Sequence, residues 1–383
     1  MVTAARPLTY PLSVRHLGPN WYATVMGTAV VATAGAALPP HVPGLRGALT
    51  GVWALSLLLL LALLAGRAAH WTRHRDQART HLLDPATAPF YGCLAMALLA
   101  VGGGGLTVGR DWIGLRAAVA LDAVLFTAGT VLGLAAAVAV PCLMAVRHRV
   151  EPGQATPVWL LPLVAPMVSA AVGPLLVPHL PPGQARETLL VFCFALFGLS
   201  LLATLVMLPL VFTRLVTGGP LPLALTPTLF LVLGPLGQSA TAVGAFADVA
   251  PGVVPEPYSE GFGLLAVLYG VPVMGFALLW FLLAAALVLR ARRHGMRFSM
   301  TWWSFTFPVG TCVTGAEALG RHTGLLAYAG PALVLYAVLV AAWGTAVAGT
   351  VRGLLRGELL AAPGPGPAAP RPVTVRTTSG AVR

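Results

Sequence analysis

The chain has 383 residues, of which 57% are hydrophobic and only 9% are charged. Soluble globular proteins carry about 25% charged residues, so this composition excludes an ordinary water-soluble fold. In a soluble protein the net charge of +12 would indicate nucleic-acid binding, but here it comes entirely from arginines that lie mostly between apolar segments. This pattern is typical of a membrane protein, and we expect no nucleic-acid partner.

Apolar runs separated by breaks that contain proline and arginine predict an all-α integral membrane protein with ten spans. The predicted spans are 20–38, 46–66, 88–108, 116–142, 157–177, 188–212, 221–247, 262–289, 300–318 and 324–350. The chain then divides into a cytoplasmic N-terminal segment at 1–19, a ten-helix domain at 20–350 and a disordered cytoplasmic tail at 351–383. The tail contains the sequence PGPGPAAPRP and has no apolar periodicity.

The distribution of arginines predicts the orientation. Eighteen of the 23 lie at the termini or after even-numbered spans, and five lie after odd-numbered spans. Positively charged loops remain in the cytoplasm. We therefore expect a multi-pass protein of the inner (plasma) membrane with both termini cytoplasmic, surrounded by membrane lipid.

Glycine, proline and small polar residues are concentrated in the odd-numbered spans, whereas the even-numbered ones are mostly Leu, Ala and Val. Examples are the glycine run at 102–105 and the prolines Pro162 and Pro166. A proline-kinked helix is tolerated in a membrane where protein or water satisfies the freed backbone groups. This alternation predicts kinked odd helices around a central path and straighter even helices outside.

Helical spacing places the small and polar residues of each odd span on one face. The predicted path-lining residues are Thr24, Gly27, Thr28, Pro166, Ser169, Gly234, Gln238, Thr241, Gly310 and Thr314. The alternative is that these small residues only allow close helix packing, as in GxxxG interfaces.

Four segments together resemble the tellurite-resistance/dicarboxylate transporter family. They are GPNWYATVMGTAVVA (18–32), TPVWLLPLVAPMVSAAVG (156–173), LVLGPLGQSATA (231–242) and MTWWSFTFPVGT (300–311). The likeness covers residues 18–350 in the same order and spacing. The family includes carriers of malate and other C4-dicarboxylates, sulfite exporters and the slow anion channels of plant guard cells.

The resemblance implies that the 20–350 domain is a transporter or channel built from five helical hairpins around a central pore, often as a homotrimer. It implies a small anion as substrate. C4-dicarboxylates such as malate are the leading expectation, and efflux of sulfite or another oxyanion is the alternative. The blocks WLLPLVAP and GPLGQ are closer to the malate and sulfite carriers than to the plant channels.

The resemblance also implies a phenylalanine that plugs the pore in the ninth span, and Phe307 aligns with it. Helical geometry agrees, because Phe307 shares a face with Gly310 and Thr314, while Phe305 points about 160° away. The alternative is that Phe307 is only a packing residue.

No arginine lies within a predicted odd span, so we expect no fixed cation at the centre of the path. The partly positive N-terminal ends of kinked half-helices could favour anions instead. Asp122 and Glu317 are candidates for proton coupling, because a carboxyl group inside a membrane indicates function. The alternatives are a hydrogen-bonded structural role for Asp122 and an ion pair between Glu317 and Arg321.

The sequence contains no HExxH, DxD, P-loop or GxSxG motif, and its four cysteines show no CxxC spacing. We therefore expect neither an enzyme nor a bound metal or cofactor. A membrane protein that does not transport remains the alternative from another class.

Overall fold

The computed structural model describes residues 14–38, 43–148 and 153–360, and every regular element in these ranges is helical. Residues 1–13 of the predicted N-terminal segment and residues 361–383 of the predicted tail lie outside the described residues.

The α-helices of the described ranges differ widely in length. In chain order they are α1 (Tyr22–Ala37), α2 (Leu45–Arg73), α3 (Arg75–Leu83), α4 (Gly92–Gly104), α5 (Arg110–Ile113), α6 (Leu115–Val146), α7 (Leu160–Val172), α8 (Gln184–Thr217), α9 (Leu233–Val249), α10 (Tyr258–Arg293), α11 (Phe307–Thr323) and α12 (Ala329–Leu355).

Five helices form a closed inner ring, in which α1 contacts α4, α4 contacts α7, α7 contacts α9, α9 contacts α11 and α11 contacts α1. Each inner helix also packs against the long helix that follows it, namely α2, α6, α8, α10 or α12. The apolar stretches of 88–113, 157–179 and 226–249 are 83–89% buried, whereas those of the five outer helices are only 17–33% buried. The exposed surface of the outer helices is therefore largely apolar, as expected of a protein surrounded by lipid.

Eight helices of the described ranges are long and apolar enough to cross a membrane. The remaining inner helices, α1 and α11, have 16 and 17 residues. Several outer helices run past their predicted ends. For example, α2 was predicted to end at residue 66 but continues to Arg73, and α12 continues to Leu355 rather than 350. The extension of α2 is stabilised by tertiary contact, since the buried Arg67 donates a 2.6 Å hydrogen bond to the Leu17 carbonyl.

Each inner helix is entered through a short 3-10 helix. These 3-10 helices are Pro19–Trp21, Ala88–Tyr91, Pro157–Trp159, Thr226–Val232 and Met300–Phe305. Four of them have proline in the first two positions, where its missing N–H costs no hydrogen bond. Proline therefore marks the common starting end of the inner helices.

Internal proline does not separate inner from outer helices, contrary to the prediction. Pro166 lies inside the inner helix α7, but Pro141, Pro209 and Pro272 lie inside the outer helices α6, α8 and α10. The burial of the helix, and not its proline, distinguishes the two sets.

Candidate functional site

The inner ring encloses a cavity of about 280 Å³ that is lined by side chains from all five inner spans. Its polar lining consists of Thr33, Thr107, Gln238, Thr241, Asp248, Thr311, Thr314 and Arg321. The rest of the lining is glycine and apolar residues, with the ring of Phe307 among them. The five inner helices thus enclose a path that is mostly apolar, with hydroxyl and amide groups at intervals.

The cavity extends along α11 from Phe307 to Arg321. These residues are fourteen positions apart, which corresponds to ~21 Å of helix. Phe307 is the first residue of α11 and is only 4% exposed, whereas the side chain of Arg321 is half exposed. The cavity is therefore closed at the Phe307 end and opens at the Arg321 end, which we call the mouth.

The backbone before Phe307 fixes the position of its ring. The 3-10 helix ends at Phe305, and Thr306 leaves helical geometry with φ −94° and ψ −80°. Pro308 occupies the first turn of α11, so it starts a new helix and does not kink a continuous one. The Thr306 hydroxyl donates a 2.7 Å hydrogen bond to the Trp303 carbonyl and thereby stabilises the break.

The walls of α9 and α11 present two facing rows of side chains. Gln238, Thr241 and Asp248 lie on α9 at helical spacing, and Thr314 and Arg321 follow Phe307 on α11 at intervals of seven. The hydroxyl oxygens of Thr241 and Thr314 are 2.7 Å apart and join the two rows. Gln238 lines the same wall.

Predicted path-lining residues divide into two groups. Gln238, Thr241 and Thr314 line the cavity together with Phe307. The others do not line it, and they are Thr24, Gly27, Thr28, Pro166, Ser169, Gly234 and Gly310.

Two of the hydroxyl groups outside the cavity are directed toward outer helices. Ser169 accepts a 3.0 Å hydrogen bond from the Thr130 hydroxyl on α6. Thr28 accepts one of 3.1 Å from the Trp343 indole on α12 and donates its own hydrogen to the Thr24 carbonyl. Both groups therefore hold inner and outer helices together.

The glycines Gly27 and Gly310 allow close helix contact, which is the packing alternative left open by the sequence. A Cβ on Gly27 would overlap the Thr306 hydroxyl, and one on Gly310 would overlap the Val30 side chain. Because these contacts join α1 to α11 and to the segment before it, a larger residue would force the ring apart. Gly234 differs, since a Cβ there would meet open space.

Both predicted acids are buried, and neither forms an ion pair with another residue that the structure describes. Asp122 on α6 is fully buried against Gly102, and neither of its carboxylate oxygens has a hydrogen-bond partner. Glu317 is 7% exposed, and its Oε1 likewise has no partner. The predicted ion pair between Glu317 and Arg321 is wrong, because Arg321 turns across the mouth and pairs with Asp248 on α9.

Sequence reasoning did not assign Thr33, Thr107, Thr311 or Arg321 to the path. Arg321 was counted as a loop residue, yet it lies in the last turn of α11 and lines the cavity. The seven-residue spacing from Phe307 through Thr314 was the signal that could have identified it. Thr107 lies in a π-helical turn, Gly105–Gly109, which begins at the last glycine of the run and which periodicity does not predict.

Comparison with known proteins gives one consistent result. A family model described as a voltage-dependent anion channel (SLAC1) matches residues 16–351. An uncharacterized transporter of Methanocaldococcus jannaschii is 25% identical over 351 residues, which cover 90% of this chain and 96% of that protein. The sulfite efflux pump SSU1 of Trichophyton rubrum is 25% identical over 331 residues, covering 81% of this chain and 84% of the pump.

The matched region contains all five inner helices and the cavity between them. It is the same family that the four sequence motifs resemble, and the relatives that carry a functional name are transporters. The chain belongs to the voltage-dependent anion channel (tellurite-resistance/dicarboxylate transporter) family of membrane proteins.

Proposed function

We propose that this protein carries small anions across the inner (plasma) membrane through the cavity between α1, α4, α7, α9 and α11. The observation that carries the proposal is that one continuous cavity is lined by all five inner spans and ends on a single aromatic ring. In this proposal α1 and α11 also cross the membrane. The fold is then ten membrane helices arranged as five hairpins, within a transport domain of residues 20–350.

The proposed orientation places both termini in the cytoplasm and the mouth of the cavity outside. The arginine distribution supports it, because the loops on the side of the termini hold most of the positive charge. The N-terminal ends of the inner helices then face the cytoplasm, where their partial positive charge favours anions. The residues that precede 20 and the tail beyond Leu355 are cytoplasmic in this arrangement.

In the proposal Phe307 is the gate. A ring at the closed end of an otherwise open cavity can stop ions by excluding water, as hydrophobic constrictions do in channels. Thr241, Thr314 and Gln238 lie on the open side of the ring and can replace part of the hydration shell of an anion. Neutral polar groups of this kind favour weak, broad recognition over tight binding.

Sulfite and malate are the two substrate candidates. The fungal relatives are named as sulfite efflux pumps, which supports sulfite. The blocks WLLPLVAP and GPLGQ resemble the malate and the sulfite carriers alike, so malate stays a candidate beside sulfite. The deciding experiment is uptake and release of labelled sulfite and malate by vesicles that contain the purified protein, with protein-free vesicles as the control. A flux of neither anion above the control would contradict the proposed function.

Two further parts of the proposal concern protons and assembly. Asp122 and Glu317 are the proposed proton-coupling groups, and their buried oxygens without partners support this role. A homotrimer is proposed from the family resemblance and would use part of the exposed apolar surface of the outer helices. The mass of the purified protein in detergent, measured by light scattering, tests the trimer.

A further inference from the structure

The mouth of the cavity holds one arginine and one aspartate, Arg321 and Asp248. Among the described residues that line the cavity, Arg321 is the only base and Asp248 the only acid. Both side chains are about half exposed, at 52% and 43%, so water and solutes reach them. An anion that enters the cavity from this end passes beside them.

Asp248 occupies only part of the guanidinium. A single 3.1 Å contact joins Arg321 Nη2 to Asp248 Oδ2, whereas a guanidinium has five N–H donors in a planar fork. The second oxygen of Asp248 lies 3.1 Å from His322 Nε2, which is also 3.1 Å from the Gly244 carbonyl oxygen. His322 therefore holds the second oxygen of Asp248, and the described residues supply no further hydrogen bond to the Arg321 guanidinium.

The pair is also weak. Exposed ion pairs contribute little, because water screens both charges and ordering two side chains costs entropy. An oxyanion with two oxygens can form a bidentate contact with arginine, which is stronger than the single contact that Asp248 makes. Because the contact with Asp248 is weak, such an anion displaces the carboxylate once its concentration is high enough.

We propose that Arg321 is a binding subsite for small oxyanions at the mouth of the cavity, and that Asp248 is a built-in competitor which an arriving oxyanion displaces. The inference rests on the proposed function for its purpose. It goes beyond it by naming where the anion first binds and what sets the affinity there. Asp248 keeps the subsite weak, so that the anion is released along the path and does not remain at the mouth.

The experiment compares Arg321→Gln, Arg321→Lys, Asp248→Asn and the double variant Arg321→Gln/Asp248→Asn. Sulfite and malate are added on the mouth side of vesicles, and the half-saturating concentration of flux is measured. Loss of the guanidinium should raise this concentration about tenfold, in line with the loss of a hydrogen bond to a charged group. Asp248→Asn should lower the half-saturating concentration severalfold. Arg321→Lys should give a value between those of the parent and Arg321→Gln. The double variant should give the same value as Arg321→Gln.

A matched control lies on the same face of the protein. Arg186 and Glu187 are half-buried at the start of α8 and do not line the cavity. Arg186→Gln changes the net charge as Arg321→Gln does, and Glu187→Gln changes it as Asp248→Asn does. Both control variants should leave the half-saturating concentration unchanged. Equal effects at both places would overturn the subsite and attribute the result to general surface potential.

A second measurement separates this subsite from the proposed transport. Sulfite or malate should raise the thermal unfolding temperature of the detergent-purified parent, raise it more for Asp248→Asn, and have no effect on Arg321→Gln. If the parent is stabilised in this way but carries no flux, the subsite stands and the proposed function fails. If flux is present but Arg321→Gln and Asp248→Asn behave as the parent in both measurements, the subsite is overturned and transport stands.

Discussion

Phe305 and Phe307 are two residues apart, but their rings lie in different parts of the molecule. The ring of Phe305 packs edge-on against Phe230 with centroids 4.9 Å apart, outside the cavity. The ring of Phe307 lies at the closed end of the cavity. The break in the backbone at Thr306 separates them, which makes Phe305 a matched control for any test of Phe307.

Phe307→Ala should raise passive anion conductance well above that of the parent, because removal of the ring lets water enter the closed end. Electrical recording or a halide-quench flux assay at matched protein levels measures this. Phe305→Ala should add no leak. It should lower the free energy of unfolding by less than the ~3–5 kcal/mol lost when a fully buried phenylalanine is truncated, because its ring is only half buried. A larger leak in Phe305→Ala than in Phe307→Ala would move the gate to the other ring.

Asp122→Asn should remove the pH dependence of anion flux if Asp122 takes up a proton during transport. Asparagine keeps the shape of the side chain but cannot titrate, so folding and membrane level should be retained. The measurement is flux at several pH values in vesicles, with Asp111→Asn at an exposed site on α5 as the control. Unchanged pH dependence in Asp122→Asn would assign the residue a structural role only.

The stability of the protein should fall on acidification below neutral pH, through His81 on α3. Burial, followed by the positive charge of Arg67 and the nearby His70 and His16, lowers the pKa of His81 to about 4, whereas histidine in an unfolded chain titrates near 6.5. Between these values the unfolded chain binds a proton that the folded chain does not. The free energy of unfolding therefore decreases as the pH falls from about 6.5 toward 4.

His81→Gln should make the thermal unfolding temperature less dependent on pH in this window, because the neutral amide does not titrate. The exposed His179 supplies the control variant, His179→Gln, which should keep the pH dependence of the parent. An equal slope in the parent and His81→Gln would show that other groups cause the loss of stability.

A reporter enzyme fused after residues 250–258 should lie outside the cell, and one fused after Arg293 should lie in the cytoplasm. The first site follows α9 at the mouth of the cavity, and the second follows the arginine-rich end of α10. Alkaline phosphatase activity of the two fusions measures the side. The reverse pattern would invert the proposed orientation, including the side to which the mouth opens.

The sequence alone predicted the helical membrane character, the division into apolar segments and the family. The first two features depend on composition and on periodicity within single helices, which are local properties. The family follows from the resemblance of the four sequence motifs. The same local reasoning placed Phe307 and Thr314 on one face of α11, and both line the cavity. Helix ends were less accurate, since α2 continues through Arg67 and His70 on the strength of contacts with Val14 and Leu17.

Only the tertiary structure decided which side of each inner helix faces the cavity. Periodicity places Ser169 and Thr28 on the same face as small neighbours. It does not reveal that the Ser169 hydroxyl bonds to a residue on α6 and the Thr28 hydroxyl to one on α12. Periodicity likewise pairs Arg321 with Glu317, which is one turn away on the same helix. In the structure Arg321 pairs with Asp248, which is 73 positions away along the chain. Contacts between helices depend on how the helices are arranged around the ring, and this arrangement is set by the packing of all of them together.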